Sequence, residues 1–300
     1  MPSPASPNSA EPSPTATTLE TTQAIVGPWS LATSRRFWEG FAPSALAVQS
    51  HHNEIRASFL CDTDWQRAEF IVRQEGSTAQ IAVTGSGDIE AATAQVLRFL
   101  SLDIDGNDWL SVGDRDPVIA AAQQHLPGFR PCGFYSPYEA AAWAVLSQRV
   151  QIRQAATLAA RIIETHGDRG TFPAPSDLLG LDLDLPGRKN EYLNAVAEAA
   201  LDGELNGERL RGLDAGEALR QVQTIHGLGP FAAELVVIRG ANFPDVLPAN
   251  EKRLNSEIAL RYGADRSIAE ITEKWRPFRS WASVNLRALR AERTDALDGR

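Results

Sequence analysis

Apolar positions along this 300-residue chain change period twice. From Trp29 to Thr84 they fall in short β-prone runs, WSLATSRRFW, EIRASFL, QRAEFIVRQ and AQIAVT, which predict strands. The last two runs flank an E-G-S turn, a hairpin signal. After Gly85-Ser86-Gly87 the period lengthens, and Ile89, Ala92, Val96, Leu97 and Leu100 share one face of a helix that Asp88 is placed to cap. A connection over 103–129 holds one short helix, Pro117 to His125. From Tyr138 to Ile163 the spacing is helical throughout, with a break predicted at Ser147-Gln148-Arg149. Further helices are predicted at 185–201, at Ala218 to Ile225, at Phe231 to Arg239 and over EKWRPFRSWASVNLRAL, 273–289. In the last of these Trp275, Phe278, Trp281 and Leu286 fall on the core side. The pattern predicts an α+β N-terminal domain followed by an all-α region, mainly α in sum.

Composition sets the limits of this plan. A hydrophobic content of 43% with 22% charged residues suits a globular chain with a proper core, and no apolar run reaches the eighteen or so residues of a membrane span. Residues 1–24 are Pro-, Ser-, Thr- and Ala-rich, without a basic start or an apolar stretch, and are expected to be a disordered tail rather than a signal peptide. The expected units are that tail, a small antiparallel α+β domain at 25–115, and helical domains at 116–300. Cys61 and Cys132 are too few for a disulfide framework, a four-thiolate zinc site or a four-cysteine cluster. A cytoplasmic monomer is the expectation. The net charge of −9 argues against a nucleic-acid partner until it is divided. Residues 25–128 hold 7 basic and 13 acidic residues, whereas residues 129–300 hold 22 and 23. A local basic footprint therefore remains open to the C-terminal half, with modest and salt-sensitive binding.

One stretch in that half combines a turn, a helix start and a carboxylate: TIHGLGPFAAELVVIRGANFPDVLPANEKRL, Thr224 to Leu254. Gly227 and Gly229 bracket Leu228, and either glycine can adopt φ > 0 and leave the backbone open to close approach. Pro230 suits a first helical position, so the amides near Gly227 to Phe231 lie at a helix N-terminus, where an anion such as phosphate is favoured.

The pattern L-x-x-V-x-x-I-x-G-L-G-x-F-x-A followed by D-V-L-P-A-N-E resembles the helix-hairpin-helix DNA glycosylases, in their 3-methyladenine DNA glycosylase II (alkylpurine, AlkA-like) branch. SPYEAAAWAVLSQRV at 136–150, FPAPSDL at 172–178 and EKWRPFRSWA at 273–282 are similar to the same group in the same order. The resemblance implies a pair of helical domains closing on damaged duplex DNA, and phosphate bound at Gly227, Leu228, Gly229 and Phe231. It also implies a monovalent cation, Na or K, on main-chain oxygens of Gln223, Ile225 and Leu228, with no iron–sulfur cluster. The turn Gln148-Arg149 stands where the family wedges a side chain into the gap left by the extruded nucleotide. Arg188 and Lys189 match a basic turn near the DNA backbone. Phe231, Trp281 and Arg287 fall on or beside base-pocket positions, with Arg287 where an aromatic residue is usual.

Breaking an N-glycosidic bond requires base extrusion and one anion near C1′ to oppose the growing positive charge on the sugar. In the family this is an aspartate in a P-x-x-D turn; the same count here reaches Glu251 in Pro248-Ala249-Asn250-Glu251. The shorter spacing of the endonuclease III relatives would place Ala249 or Pro248 there instead, with Asp245 the only other acid nearby. No lysine stands at the hairpin-helix position of the lyase members, where Phe231 lies, so the implied activity is monofunctional hydrolysis of alkylated, or deaminated or etheno, purines. The alternative is a protein of this fold that binds distorted duplex with little or no hydrolysis. On residues alone, Glu251 could equally pair with Lys252 or Arg253 on the first turn of a helix.

Overall fold

The computed structural model describes residues 16–40 and 53–297. Its first layer is a four-stranded antiparallel sheet in the order β1-β4-β3-β2, made of β1 (Thr17–Ala24), β2 (Glu54–Leu60), β3 (Arg67–Glu75) and β4 (Thr78–Gly85). Helix α1 (Leu31–Glu39) precedes β2, and α2 (Ile89–Phe99), capped by Asp88, follows β4. Phe59, Phe70, Val72, Ile81 and Val83 point from one sheet face into a core closed by Trp38, Val96 and Phe99. This is the alternation an antiparallel sheet with one wet face requires.

Two expectations fail here. Residues 17–24, assigned to the disordered tail, form the edge strand β1, in register from Thr17 against Gly85 to Ala24 against Thr78. Its Thr-rich sequence carries little apolar content because the strand is only half covered, so β-branching is its sole sequence signal. Residues 1–15 lie outside the described residues. The run WSLATSRRFW is a helix, not a strand: the Ser30 hydroxyl accepts from the Thr33 amide, and Leu31, Ser34 and Trp38 fall on its buried face. A cap and a helical stripe outweigh strand propensity.

The helical part begins with α3 (Trp109–Arg115) and α4 (Pro117–His125), then α5 (Pro137–Leu146) and α6 (Ile152–His166), separated at the predicted break. It continues through α7 (Pro175–Leu178), α8 (Lys189–Leu201), α9 (Gly207–Arg211), α10 (Ala215–Thr224) and α11 (Pro230–Leu235). A π-helical turn at Val236–Gly240 extends α11, and α12 (Lys252–Tyr262), α13 (Ile268–Glu273) and α14 (Arg279–Leu297) complete the chain. The predicted continuous helix at 273–289 is thus interrupted, as Pro277 requires. Two helical cores result. One gathers α5, α8, α10 and α11 around Tyr138, Val145, Val196, Val222 and Val237. The other joins Trp109 and Ile119 to Leu254, Ile258, Trp275, Phe278 and Trp281. Helix α3 therefore belongs with the C-terminal helices rather than with the sheet, so the boundary expected at 115 lies ahead of it.

Buried charges tie the layers together. Asp62, after β2, takes Arg98 at 2.6 Å and the Gly207 amide at 2.9 Å. Arg130 donates to the carbonyls of Pro28, Ser101, Ile104 and Val26, stapling the segment before α1 to the start of the helical part. No helix among the described residues is long and apolar enough to cross a membrane.

Candidate active site and nucleic-acid interface

The hairpin between α10 and α11 is a backbone device. The Leu228 amide bonds the Ile225 carbonyl at 3.0 Å, and the Leu228 side chain is buried, which pins the tip from inside. Gly227 has φ +93°, and a Cβ there would stand 2.4 Å from the Tyr192 ring. Glycine is needed at that position on both counts. Gly229 differs from expectation: its φ is −87°, and a Cβ would meet nothing within 4 Å. Neither its dihedral nor its surroundings require a glycine there, because the turn is complete by Leu228. Phe231, in the first turn of α11, is 47% exposed.

Gln148 and Arg149 lie beside this hairpin. The Gln148 side-chain amide donates to the Gly227 carbonyl at 2.8 Å. Arg149 is exposed with φ +56°, in the left-handed region that a non-glycine residue seldom occupies. Arg188 is exposed and grips Glu191 and His226, at 2.7 and 3.0 Å, while lying over the Tyr192 ring. It flanks the hairpin as one member of a charged cluster. Lys189 does not act as expected. Its buried ammonium caps the end of α5, donating to the carbonyls of Val145, Leu146 and Gln148 at 2.7, 2.9 and 2.9 Å. Three carbonyls at and just beyond a helix C-terminus use all its donors, so none is left for a phosphate. Lys189 thus supports the Gln148-Arg149 turn from below.

The carboxylate-bearing turn is held from two sides. On one, Ser280 at the start of α14 gives its amide to Pro244 and exchanges bonds with the backbone of Val246. Asp245 is held by Arg276 and Arg279 at 2.9 and 2.8 Å. On the other side, buried Glu234 of α11 accepts the Asn250 amide at 3.0 Å and the Asn250 side chain at 2.7 Å. Glu251 then stands at the N-cap of α12 without using its carboxylate as a cap. It does not pair with Lys252. Oε1 meets Nε of Arg287, from α14, at 2.6 Å, with side chains 21% and 26% exposed.

The electrostatics follow from burial. Burial pushes the Glu251 carboxyl above its ordinary range, and the guanidinium groups of Arg287, Arg253 and Arg239 pull it partly back. Arg239, just after α11, is pushed down to about 10 by burial; its guanidinium reaches the Cys132 carbonyl at 2.7 Å and stacks over Phe37. Trp281, expected at the base pocket, is fully buried, packed on Trp109 and Phe278 with Arg130 over its ring. It is a core residue because the face of α14 that carries it is the one that closes the second helical core.

Glu234 and Arg239 escaped the sequence reading. The signal for Glu234 was one acid amid the apolar run FAAELVVI. A third unread group is Glu139, whose carboxyl burial raises to about 8. It lines a cavity of about 70 Å³ with Trp38, Phe134, Trp143 and Phe172; neither Glu251, Arg287 nor the hairpin borders it.

No protein-family model matches the chain. Individual proteins do. The chain is 31% identical over 223 residues to the probable bifunctional transcriptional activator/DNA repair enzyme AlkA of Mycobacterium tuberculosis, a match covering 66% of this chain and 42% of that protein. The chain thus spans less than half the length of this relative. It is 30% identical over 216 residues to DNA-3-methyladenine glycosylase 2 of Escherichia coli, covering 67% of this chain and 74% of that one. The solved structure of a 3-methyladenine DNA glycosylase from Archaeoglobus fulgidus superposes with a TM-score of 0.70 at 19% identity, over 91% of this chain and 98% of the other, so the fold is shared. The chain belongs to the helix-hairpin-helix DNA glycosylase superfamily, in its AlkA-like 3-methyladenine DNA glycosylase branch.

Proposed function

We propose that this protein is a monofunctional DNA glycosylase of base excision repair that binds duplex DNA through the hairpin and hydrolyses the N-glycosidic bond of an extruded, damaged purine. The observation that carries the reading is the placement of Glu251. A half-buried carboxylate on a turn braced by the hairpin helix through Glu234 and Asn250 supports a fixed relation between phosphate grip and anion. The hairpin amides near Gly227 to Phe231 take a phosphate, and the Gln223, Ile225 and Leu228 carbonyls suit a monovalent cation. The Ile225 oxygen spends only one of its two lone pairs, on the Leu228 amide. Arg149 enters the space of the extruded nucleotide. Glu251 opposes the positive charge that develops at C1′ and accepts a proton from the attacking water. With Phe231 at the hairpin-helix position there is no amine there to form a Schiff base, so the reaction ends at the abasic site.

Product release from duplexes carrying 3-methyladenine, 7-methylguanine, hypoxanthine or ethenoadenine tests this. Glu251→Gln keeps size and hydrogen bonding but removes the charge, so excision falls on the order of 10²- to 10³-fold while affinity for abasic DNA is kept. Undiminished excision in that variant would falsify the role of Glu251. A wild-type protein that binds abasic DNA and excises none of the four bases supports the second reading, binding without hydrolysis, which the Arg287 pairing of the carboxylate favours.

A further inference from the structure

Resting on that assignment of Glu251, we propose that the site selects damaged bases that are uncharged in DNA and depart as anions, with Arg287 stabilising the departing base. The charges around Glu251 point this way. Arg287 contacts this one carboxylate at 2.6 Å, and the charges of Arg253 and Arg239 act on it as well; Arg239 and Arg287 are partly buried. The neighbouring carboxylate, Glu257, pairs with Arg261, Arg290 and Arg293, and its charge reaches Arg287 only at longer range. Arg287 spends Nε on Glu251, and among the described residues its two terminal nitrogens make no hydrogen bond, although the side chain is 26% exposed. Those nitrogens carry four N–H donors in a planar fork suited to the edge of a heterocycle. Phe278 and Trp281, the aromatic residues nearest in sequence to Arg287, pack into the core with Trp109 and are not open to stack on a positive base.

This arrangement separates two kinds of substrate. A purine alkylated at N3 or N7 is cationic in DNA and leaves as a neutral molecule, so it would enter beside like charge and gain nothing from a donor when its bond breaks. A neutral base such as hypoxanthine must leave as an anion. The C1′–N9 bond breaks with its electron pair going to the base, where the guanidinium donates a hydrogen bond that strengthens as charge grows. Water oxygen bonds to C1′, its proton passes to Glu251, and the base anion takes a proton from solvent, which balances the hydrolysis. Arginine stays protonated throughout. The 2.6 Å Glu251–Arg287 contact puts the two groups next to each other, so a base leaving a sugar opposed by Glu251 would depart within reach of the guanidinium.

Single-turnover excision from duplexes with hypoxanthine, ethenoadenine, 7-methylguanine or 3-methyladenine, each rate divided by the uncatalysed rate of that lesion, tests the proposal. Wild type is expected to accelerate loss of hypoxanthine at least about 10²-fold more than loss of 7-methylguanine. Arg287→Met removes the charge at similar length and should cost hypoxanthine on the order of 10²-fold, and at least about tenfold more than it costs 7-methylguanine. Arg287→Lys should recover part of that difference, which a role in packing alone would not produce. Equal losses on neutral and cationic lesions, or a wild-type acceleration greater for 7-methylguanine, overturn the proposal while leaving the glycosylase reading intact. No excision of any lesion overturns both.

Discussion

The hairpin and the carboxylate turn are tied to the same helix, α11, and they are made of different material. The hairpin is backbone: a left-handed Gly227, a buried Leu228, and amides at a helix start, with Gln148 binding the Gly227 carbonyl. The turn is side chain: Glu234 on Asn250, Ser280 on Val246, Arg287 on Glu251. A backbone site accepts few substitutions, because its donors have no side chain to exchange and its dihedrals admit only certain residues. A side-chain site can be revised one group at a time on an unchanged frame. That difference allows the hairpin proposed to grip phosphate to coexist with a turn in which Glu251 and Arg287 depart from the pattern the resemblance implies.

The largest test of the contrast falls on the hairpin glycines. Gly227→Val forces a β-branched residue to φ +93° and drives its Cβ into Tyr192. Strain of that kind costs about 1–3 kcal/mol before the overlap is counted, so duplex affinity should fall on the order of 10²-fold or more. Gly229→Ala, at φ −87° with open space around it, should stay within about twofold of wild type. Equal losses at the two glycines, read by fluorescence anisotropy on abasic duplex, would break the claim that Gly227 alone shapes the turn.

Next in size is the brace between the two regions. Glu234→Ala removes the acceptor of the Asn250 amide and side chain, which water can replace at this exposed residue, so the direct cost is about 0.5–1.5 kcal/mol and the turn is freed to shift. A displacement of about 1 Å in a positioned group can cost on the order of 10²-fold in rate, so kcat should drop about 10- to 10²-fold with little change in affinity for abasic DNA. Asn250→Ala should do the same, and the double variant should lose no more than either single one. If Glu234→Ala weakens binding and catalysis alike, the two regions are not separable.

A smaller effect is expected in the pH dependence. Glu251 must be ionised to oppose charge at C1′, and burial raises its pKa, so the acid limb of kcat should lie above the ordinary carboxylate range. Arg287 lowers that pKa from its raised position. Arg287→Met therefore moves the limb to higher pH, whereas a change confined to the hairpin leaves it in place. An acid limb that shifts down in Arg287→Met, or does not shift, would show that another group titrates.

How much of this was legible in the sequence follows the same division. The hairpin could be read because Gly, Pro and helical spacing are local signals, and the break at Ser147-Gln148-Arg149 was local as well. The surroundings of Glu251 could not, since Arg287 arrives from another helix, 36 residues on, by the register of α14. Lys189 looked like a surface partner for phosphate; its acceptors, 41 to 44 residues earlier, appear only when α8 packs on α5. β1 was missed for a different reason, because a half-covered Thr-rich edge strand carries too little apolar content to stand out from a tail.

The smallest effect concerns Arg149 at the hairpin: its backbone follows Gln148, and its side chain is exposed, with no partner among the described residues. At φ +56° it occupies a conformation that costs a non-glycine residue about 1 kcal/mol or more. Arg149→Ala keeps that strain and removes the side chain, so it should weaken binding to lesion or abasic DNA several-fold, and binding to intact duplex by less. A plain phosphate contact would weaken both equally. Arg149→Gly removes the side chain and the strain together. It should therefore bind as the alanine variant does but melt higher, by an amount corresponding to roughly 0.5–1 kcal/mol. A glycine variant no more stable than the alanine variant would mean that the left-handed geometry costs little, and that Arg149 is held there by the Lys189 cap on α5 rather than poised for insertion.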